Sequence, residues 1–361
     1  MGNQEREMRR APSRGRRFGP VVRLLAPALA AVAAGVVVLL VRPDVHRLLV
    51  AVGLVAEGRH ATPTPVCDDP PPSPPEPATW TPEAGIDGLT ADFAADLLDA
   101  RDSPVTITIL YDLPPAFNHV HDDNGFAALI EGYGAAVMFD AGRRPDILAK
   151  NVATLGKSLD DIGVVIVSHT SDDHVRGIHA FKSVAKRPII YAPSGSDPDQ
   201  IRALEPYGAE VRLISRPTRL MPGIFTTGPP PAYPELGLVL ATAQGAVHFV
   251  SCGHASRVTF MRHAARLAGG VLYLDLGGFC ALWDAPLSRK RNAWARVKGE
   301  DPGFIGYLHC AQPDLRALAA NDWPDRCLDI GAGAIIRIPT GPPAPPVVGG
   351  EKTDIHWKGE A

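Results

Sequence analysis

Basic charge is not in excess in this chain. Its 361 residues carry 36 Lys and Arg against 39 Asp and Glu, a formal charge of -3. That balance argues against a general nucleic-acid binder, which needs a basic surface. Aromatic residues make up only 6%, too few for the stacking platforms that hold single strands. Cysteine is scarce and odd in number, at five, so at least one stays unpaired within a monomer. No internal repeat of short period is visible, and only one uncharged apolar run approaches the length of a membrane crossing. What is plentiful is apolar residues, at 45%, with 36 Pro and 35 Gly. That suffices for one large domain or two ordinary ones with a sizeable core.

The apolar run lies near the start. Residues 1–23 form a basic segment containing Arg6, Arg9, Arg10, Arg14, Arg16, Arg17 and Arg23. Residues 24–41, "LLAPALAAVAAGVVVLLV", are uncharged and close at Arg42, about the minimum for one transmembrane helix. A cleaved signal would end in a small-x-small site. Here Ala28-Leu29-Ala30 lies inside the run, so a retained anchor is the better reading. The arginine excess places the N-terminus in the cytoplasm and the main domain on the extracytoplasmic side. Residues 42–60 form a juxtamembrane segment whose apolar stretch, 48–56, is too short to span. Residues 61–103 read as a Pro-rich linker, extended and semi-rigid, and 341–361 as an irregular tail.

Between 104 and 340 the texture is α/β. "VTITILYD" (105–112) alternates like a strand, "GFAALIEG" and "AAVMFDAG" follow as a hairpin-like pair, and "IGVVIVSH" (162–169) reads as a buried strand. Helical spacing marks 145–156, a segment near 175–183, one near 198–206, and 256–269. Further strands are "PIIYA", "EVRLI", "GLVLATA", "AVHFVSC", "GVLYLDLGG", "FIGYLHC" and "GAIIRI". Two sheets covered by outer helices fit this order better than one parallel sheet.

The chemistry gathers where strands end. "VSHTSDDHVRG" places His169, Asp173 and His174 on the loop after a buried strand, where a rigid scaffold supports function. Imidazole and carboxylate suit zinc or iron. On these residues alone, a solvated polar loop capped by an Asp explains the pattern equally well. Downstream, "VSCGHAS" adds Cys252 and His254, "LGGFCAL" adds Cys280, and "LHCAQ" adds His309 and Cys310. Four strand ends bearing His, Cys or Asp favour a site over coincidence. For Cys252 and Cys310, buried small apolar packing is the simpler reading, and a disulfide involving Cys327 is a further expectation.

Five elements, "MFDAG", "VIVSHTSDDHVRGI", "FVSCGHAS", "LGGFCAL" and "LHCAQ", occur in that order. With them the chain resembles the metallo-β-lactamase superfamily, within it the dihydropterin ribofuranosyl-aminobenzene phosphate synthase-like branch, over residues 104–338. The resemblance implies an αββα sandwich with its metal site at one edge, here preceded by one N-terminal transmembrane helix. It implies metal ligation by His169, Asp173, His174 and His254, with Cys280 as a soft further ligand, and a structural role for Asp140. It implies zinc, one or two ions, or another divalent metal. It implies hydrolysis of a small, phosphorylated substrate, with Asp173 handling the proton and His309 near the rim. The departures are Ser171 where a second loop histidine belongs, Cys280 in place of a histidine, Ala311 and Gln312 in the last element, and Asn124 before Gly125. They motivate a second expectation, a metal-poor member that binds without catalysis.

Overall fold

A computed structural model describes residues 86–350 and 353–355, apart from 114–115, 117–119, 186, 206–208, 231–232 and 255. The expected membrane span at 24–41 lies outside these residues. Among the described residues no helix is long and apolar enough to cross a membrane.

In chain order the strands are β1 (Val105–Tyr111), β2 (Ala127–Glu131), β3 (Ala136–Phe139), β4 (Ile162–Ile166), β5 (Ile189–Pro193), β6 (Glu210–Ile214), β7 (Thr218–Met221), β8 (Ile224–Thr226), β9 (Leu238–Thr242), β10 (Gly245–Val250), β11 (Leu272–Gly277), β12 (Phe304–Tyr307), β13 (Cys327–Leu328), β14 (Ile335–Ile338), β15 (Val347–Gly350) and β16 (Thr353–Ile355). The helices are α1 (Ile86–Asp99), α2 (Pro145–Thr154), α3 (Asp172–Val175), α4 (Pro198–Ala203), α5 (Arg257–Ala268), α6 (Leu287–Gly299) and α7 (Pro313–Asp322). A nine-stranded sheet runs β16-β15-β14-β1-β2-β3-β4-β5-β6 and a seven-stranded sheet runs β13-β12-β11-β10-β9-β8-β7.

Period-two alternation decides which side chains enter the space between the sheets. Val137 and Phe139 of β3 and Val247 and Phe249 of β10 point inward and meet in one core. The Phe139 and Phe249 rings touch edge to face at 5.8 Å. Met138 points the other way, into a second core with Ile147, Leu148 and Val152 of α2. Ala246 faces a third core with Met261 and Leu267 of α5, Trp294 of α6 and Leu315 of α7. The result is a four-layer αββα arrangement. β3 to β6 pair in parallel, as do β10 to β13. The loops after β4, β10, β11 and β12 therefore leave from the C-terminal ends of parallel strands.

Three expectations need correction. The stretch read as linker to residue 103 contains α1, which packs against α5. Phe93 is fully buried and packs tilted against Phe225, with ring centroids 5.1 Å apart. The Asp96 carboxylate takes Arg219 and the Gly223 N–H. The tail read as irregular supplies β15 and β16, which extend the larger sheet, β15 antiparallel to β14 and β16 antiparallel to β15. The helix expected near 175–183 is the single turn α3 followed by a 3-10 run, Arg176–Ser183. Gly177 explains the tight path: a Cβ there would lie 1.7 Å from the Ala141 carbonyl oxygen, and its N–H donates to Gly142 at 2.8 Å.

Candidate metal centre

The loop after β4 is held from below by Asp140, which follows β3. Asp140 is fully buried and has a φ of 58°, a left-handed backbone that few non-glycine residues adopt and that Asp tolerates better than most. One carboxylate oxygen accepts from Ser168 N at 2.7 Å. The other accepts from Ser168 Oγ at 2.7 Å and from His174 Nδ1 at 2.8 Å. Gly125 braces the same loop from the side. Its φ is 135°, and a Cβ would stand 2.2 Å from the Asp173 carbonyl oxygen.

These bonds set the histidine tautomers. The Ser168 hydroxyl gives its proton to Asp140, so His169 Nδ1, 2.8 Å from Ser168 Oγ, is the donor in that contact. His174 Nδ1 donates to Asp140. In both rings the lone pair sits on Nε2. Oriented this way by hydrogen bonds at the far nitrogen, a histidine is ready to bind a metal. His169 Nε2 is buried with no hydrogen-bond partner. An orphan of that kind is costly in a dry interior and fits an ion.

The other strand ends close in on the same spot. Cys252 and His254 follow β10, and the His254 ring lies 4.7 Å from that of His169. His309 follows β12, and its ring lies 4.9 Å from that of His174. Ligand atoms of His169, Cys252 and His254 lie within 4.8 Å of one another, as do those of His174, Cys252 and His309, and those of Cys252, Cys280 and Cys310. Asp173 Oδ2 is 3.6 Å from His174 Nε2 and 3.5 Å from His309 Nε2.

No family model matches the chain. It is 24% identical over 264 residues to the 7,8-dihydropterin-6-methyl-4-(beta-D-ribofuranosyl)-aminobenzene-5'-phosphate synthase of Methanocaldococcus jannaschii, a match covering 59% of this chain and 90% of that one. Among solved structures, Tm1679, a metal-dependent hydrolase of the beta-lactamase superfamily, aligns with a TM-score of 0.55 at 18% identity, over 66% of this chain and all of its own. The chain has the metallo-β-lactamase fold.

Within this metallo-β-lactamase fold, the expected ligands His169, Asp173, His174 and His254 are brought together and buried. His309 does not stand at the rim. It is 2% exposed and faces Asp173, so it belongs with the candidate ligands. Cys280 groups with Cys252 and Cys310 and with no histidine, and is disulfide-bonded. Cys327 is free and sits beside Tyr307, remote from this cluster. Ser171, where a histidine was expected, is the N-cap of α3 with no side-chain cap bond. The cap falls to this serine and not to an Asp.

Sequence reading missed two residues here. Glu235, fully buried, accepts the backbone N–H groups of Cys252, Gly253 and His254 at 3.1, 2.9 and 2.9 Å. It also lies 3.4 Å from His254 Nδ1. Burial raises its pKa, but His254 and those N–H groups outweigh this and hold the carboxyl below its usual range. Tyr233, half-buried, stacks on the His254 ring at 4.2 Å and forms an aromatic wall of the site. No spacing signal marks either residue, since both sit in the proline-rich loop before β9.

The electrostatics divide the histidines. Burial, then His174 and His254 nearby, push His169 well below the ordinary histidine value, so it is neutral. Burial also opposes charge on His309, but Cys310 and Asp173 outweigh it and raise His309 well above that value. Burial works against an ionised Asp173 too, and His174 and His309 reverse this, keeping it a carboxylate. In the Cys252–Cys310 pair, 3.3 Å apart, burial raises both thiols. The hydrogen bond from Cys252, with His309 alongside, brings Cys310 down to about 5.

Proposed function

We propose that this chain is a metal-dependent hydrolase acting on a phosphate ester or similar small molecule, with zinc or another divalent ion at one or two positions. One observation carries the reading: the orphaned, pre-oriented Nε2 of His169, in a buried group with Cys252 and His254 that adjoins the group of His174, Cys252 and His309. His169 and His254 would hold one ion, and Asp173, His174 and His309 the other. A bound divalent ion supplies Lewis-acid chemistry, acidifying water and polarising a phosphoryl or carbonyl oxygen. Asp173, kept anionic by its neighbours, orients the attacking water and accepts its proton. Tyr233 offers an aromatic face to the substrate. The phosphate class is supported by the Methanocaldococcus jannaschii synthase, whose compound is a 5'-phosphate. In the same proposal, residues 24–41 anchor the domain to a membrane with its bulk on the extracytoplasmic side. That part rests on the arginine-flanked apolar run alone.

The test is hydrolysis of bis(p-nitrophenyl) phosphate and of an acyl lactone by the full chain. Phosphodiester turnover is expected to vanish with a chelator and to fall at least about 100-fold in Asp173→Asn. A rate unchanged in Asp173→Asn contradicts this reading. An ion bound with no turnover of either substrate would favour a binding role.

A further inference from the structure

His309 reaches the site on a turn that its own residues do not favour. The Ala311 N–H closes the turn by donating to the Leu308 carbonyl at 2.8 Å, with His309 and Cys310 at the two central positions. Neither is among the Gly, Pro, Asn, Asp and Ser residues that set turns locally, so the hold comes from outside. Arg316 of α7 supplies it. One edge of its guanidinium donates from Nε to the Ala311 carbonyl and from Nη2 to the Leu308 carbonyl, both at 2.9 Å. These two carbonyls flank the His309–Cys310 pair. The same group reaches the Ile330 carbonyl, ahead of β14, at 3.3 Å and the Leu113 carbonyl, after β1, at 3.4 Å. Among the described residues, all its hydrogen bonds go to backbone carbonyls.

We infer that Arg316 is the positioning residue of His309, a planar fork that clamps both corners of the turn and keeps His309 Nε2 beside Asp173 Oδ2, 3.5 Å away. This rests on the metal-centre reading above and adds a residue that reading does not use. Arg316 donates to no candidate ligand side chain and acts through the two flanking carbonyls. Its geometry matters more than its charge. A lysine keeps the charge on a single nitrogen and lacks the fixed fork that spans two carbonyls. A second hold lies further along the chain. Lys290 of α6, buried, donates to Gln312 Oε1 and to the Asp314 carboxylate at 2.7 and 3.0 Å. It ties α6 to the start of α7 and takes neither corner carbonyl, so it steadies the helix pair and not His309.

The experiment loads the full chain with cobalt(II) and reads the hyperfine-shifted ring N–H proton signals of bound histidines, alongside cobalt affinity. The signal that the wild type shows and His309→Ala lacks belongs to His309. In Arg316→Lys that signal is expected to disappear while those of the other bound histidines stay. Cobalt affinity should fall at least about tenfold, the lower end of what groups that orient ligands contribute. Arg316→Gln, which has no charge and no fork, carries the same expectation and guards against a lysine variant that fails to fold. Lys290→Met is expected to lose stability in urea yet keep the His309 signal and the wild-type affinity. Three results overturn the inference while leaving the metal centre standing: cobalt bound with no signal from His309, an Arg316→Lys protein with signal and affinity intact, or a Lys290→Met protein that loses both. A wild type that binds no cobalt overturns the metal centre as well.

Discussion

Glu235→Ala is expected to destabilise the domain by about 3 kcal/mol or more and to weaken metal binding at least tenfold. The substitution leaves three backbone N–H groups, those of Cys252, Gly253 and His254, without the carboxylate that accepts from them. An unsatisfied buried donor costs about 1–3 kcal/mol, and water has little room to replace a fully buried side chain. The functional loss has a separate cause. Those three residues form the turn that presents Cys252 and His254, and groups that orient ligands typically contribute 10–100-fold to metal affinity. Glu235→Gln keeps one carbonyl acceptor and should fall between the two. Urea unfolding gives the first quantity and metal titration the second. A Glu235→Ala protein as stable as the wild type would show that the turn holds itself.

Asp112→Asn is expected to stabilise the protein at pH 8, by an amount of order 2–4 kcal/mol, and to change little at pH 4. Asp112 follows β1 and is fully buried. One carboxylate oxygen accepts from Leu113 N at 2.8 Å; the other has no hydrogen-bond partner. Burial pushes its pKa up to about 7 from 3.8, against the pull of Arg316 and His309. The folded state therefore holds a proton that the unfolded chain releases near pH 4. Between these two values the folded state binds more protons, so stability falls as pH rises, and the penalty is complete above about pH 7. Three pKa units correspond to roughly 4 kcal/mol, an upper bound for a group with charged neighbours. An asparagine carries no charge at either pH, so its advantage should grow with pH. Unfolding free energies of both proteins at pH 4, 6 and 8 test this. A variant less stable at pH 8 would show Asp112 ionised and usefully paired with Arg316 or His309.

The sandwich was legible because its strands are strongly apolar and its turns are marked by glycine. β4, β5, β10 and β11 all fall where alternation or apolar runs put them. α6 escaped because its sequence, LSRKRNAWARVKG, carries five basic residues among thirteen and buries only Lys290, Trp294 and Val297. α1 escaped because it follows a proline-dense stretch. In the candidate site, residues that their own spacing brings together could be read: His169, Asp173 and His174 lie on one loop. Residues that act across the fold could not. Cys252 reads as a small buried apolar residue until the structure sets it between His174 and His309. Glu235 reads as an ordinary loop acid until three N–H groups converge on it. Ser171 occupies the N-cap position of α3 but makes no side-chain cap bond there, so the structure gives no reason for a serine in particular at that position.

The central claim is that the buried cluster of His169, Asp173, His174, His254 and His309 is a metal centre. Its most direct test is the metal content of the full chain, purified without added metal, dialysed, and measured by elemental analysis beside His174→Ala. One or two equivalents of zinc or another divalent ion in the wild type, with at least one lost in His174→Ala, is the predicted result. A wild type that holds no ion, even after reconstitution with zinc, would contradict it.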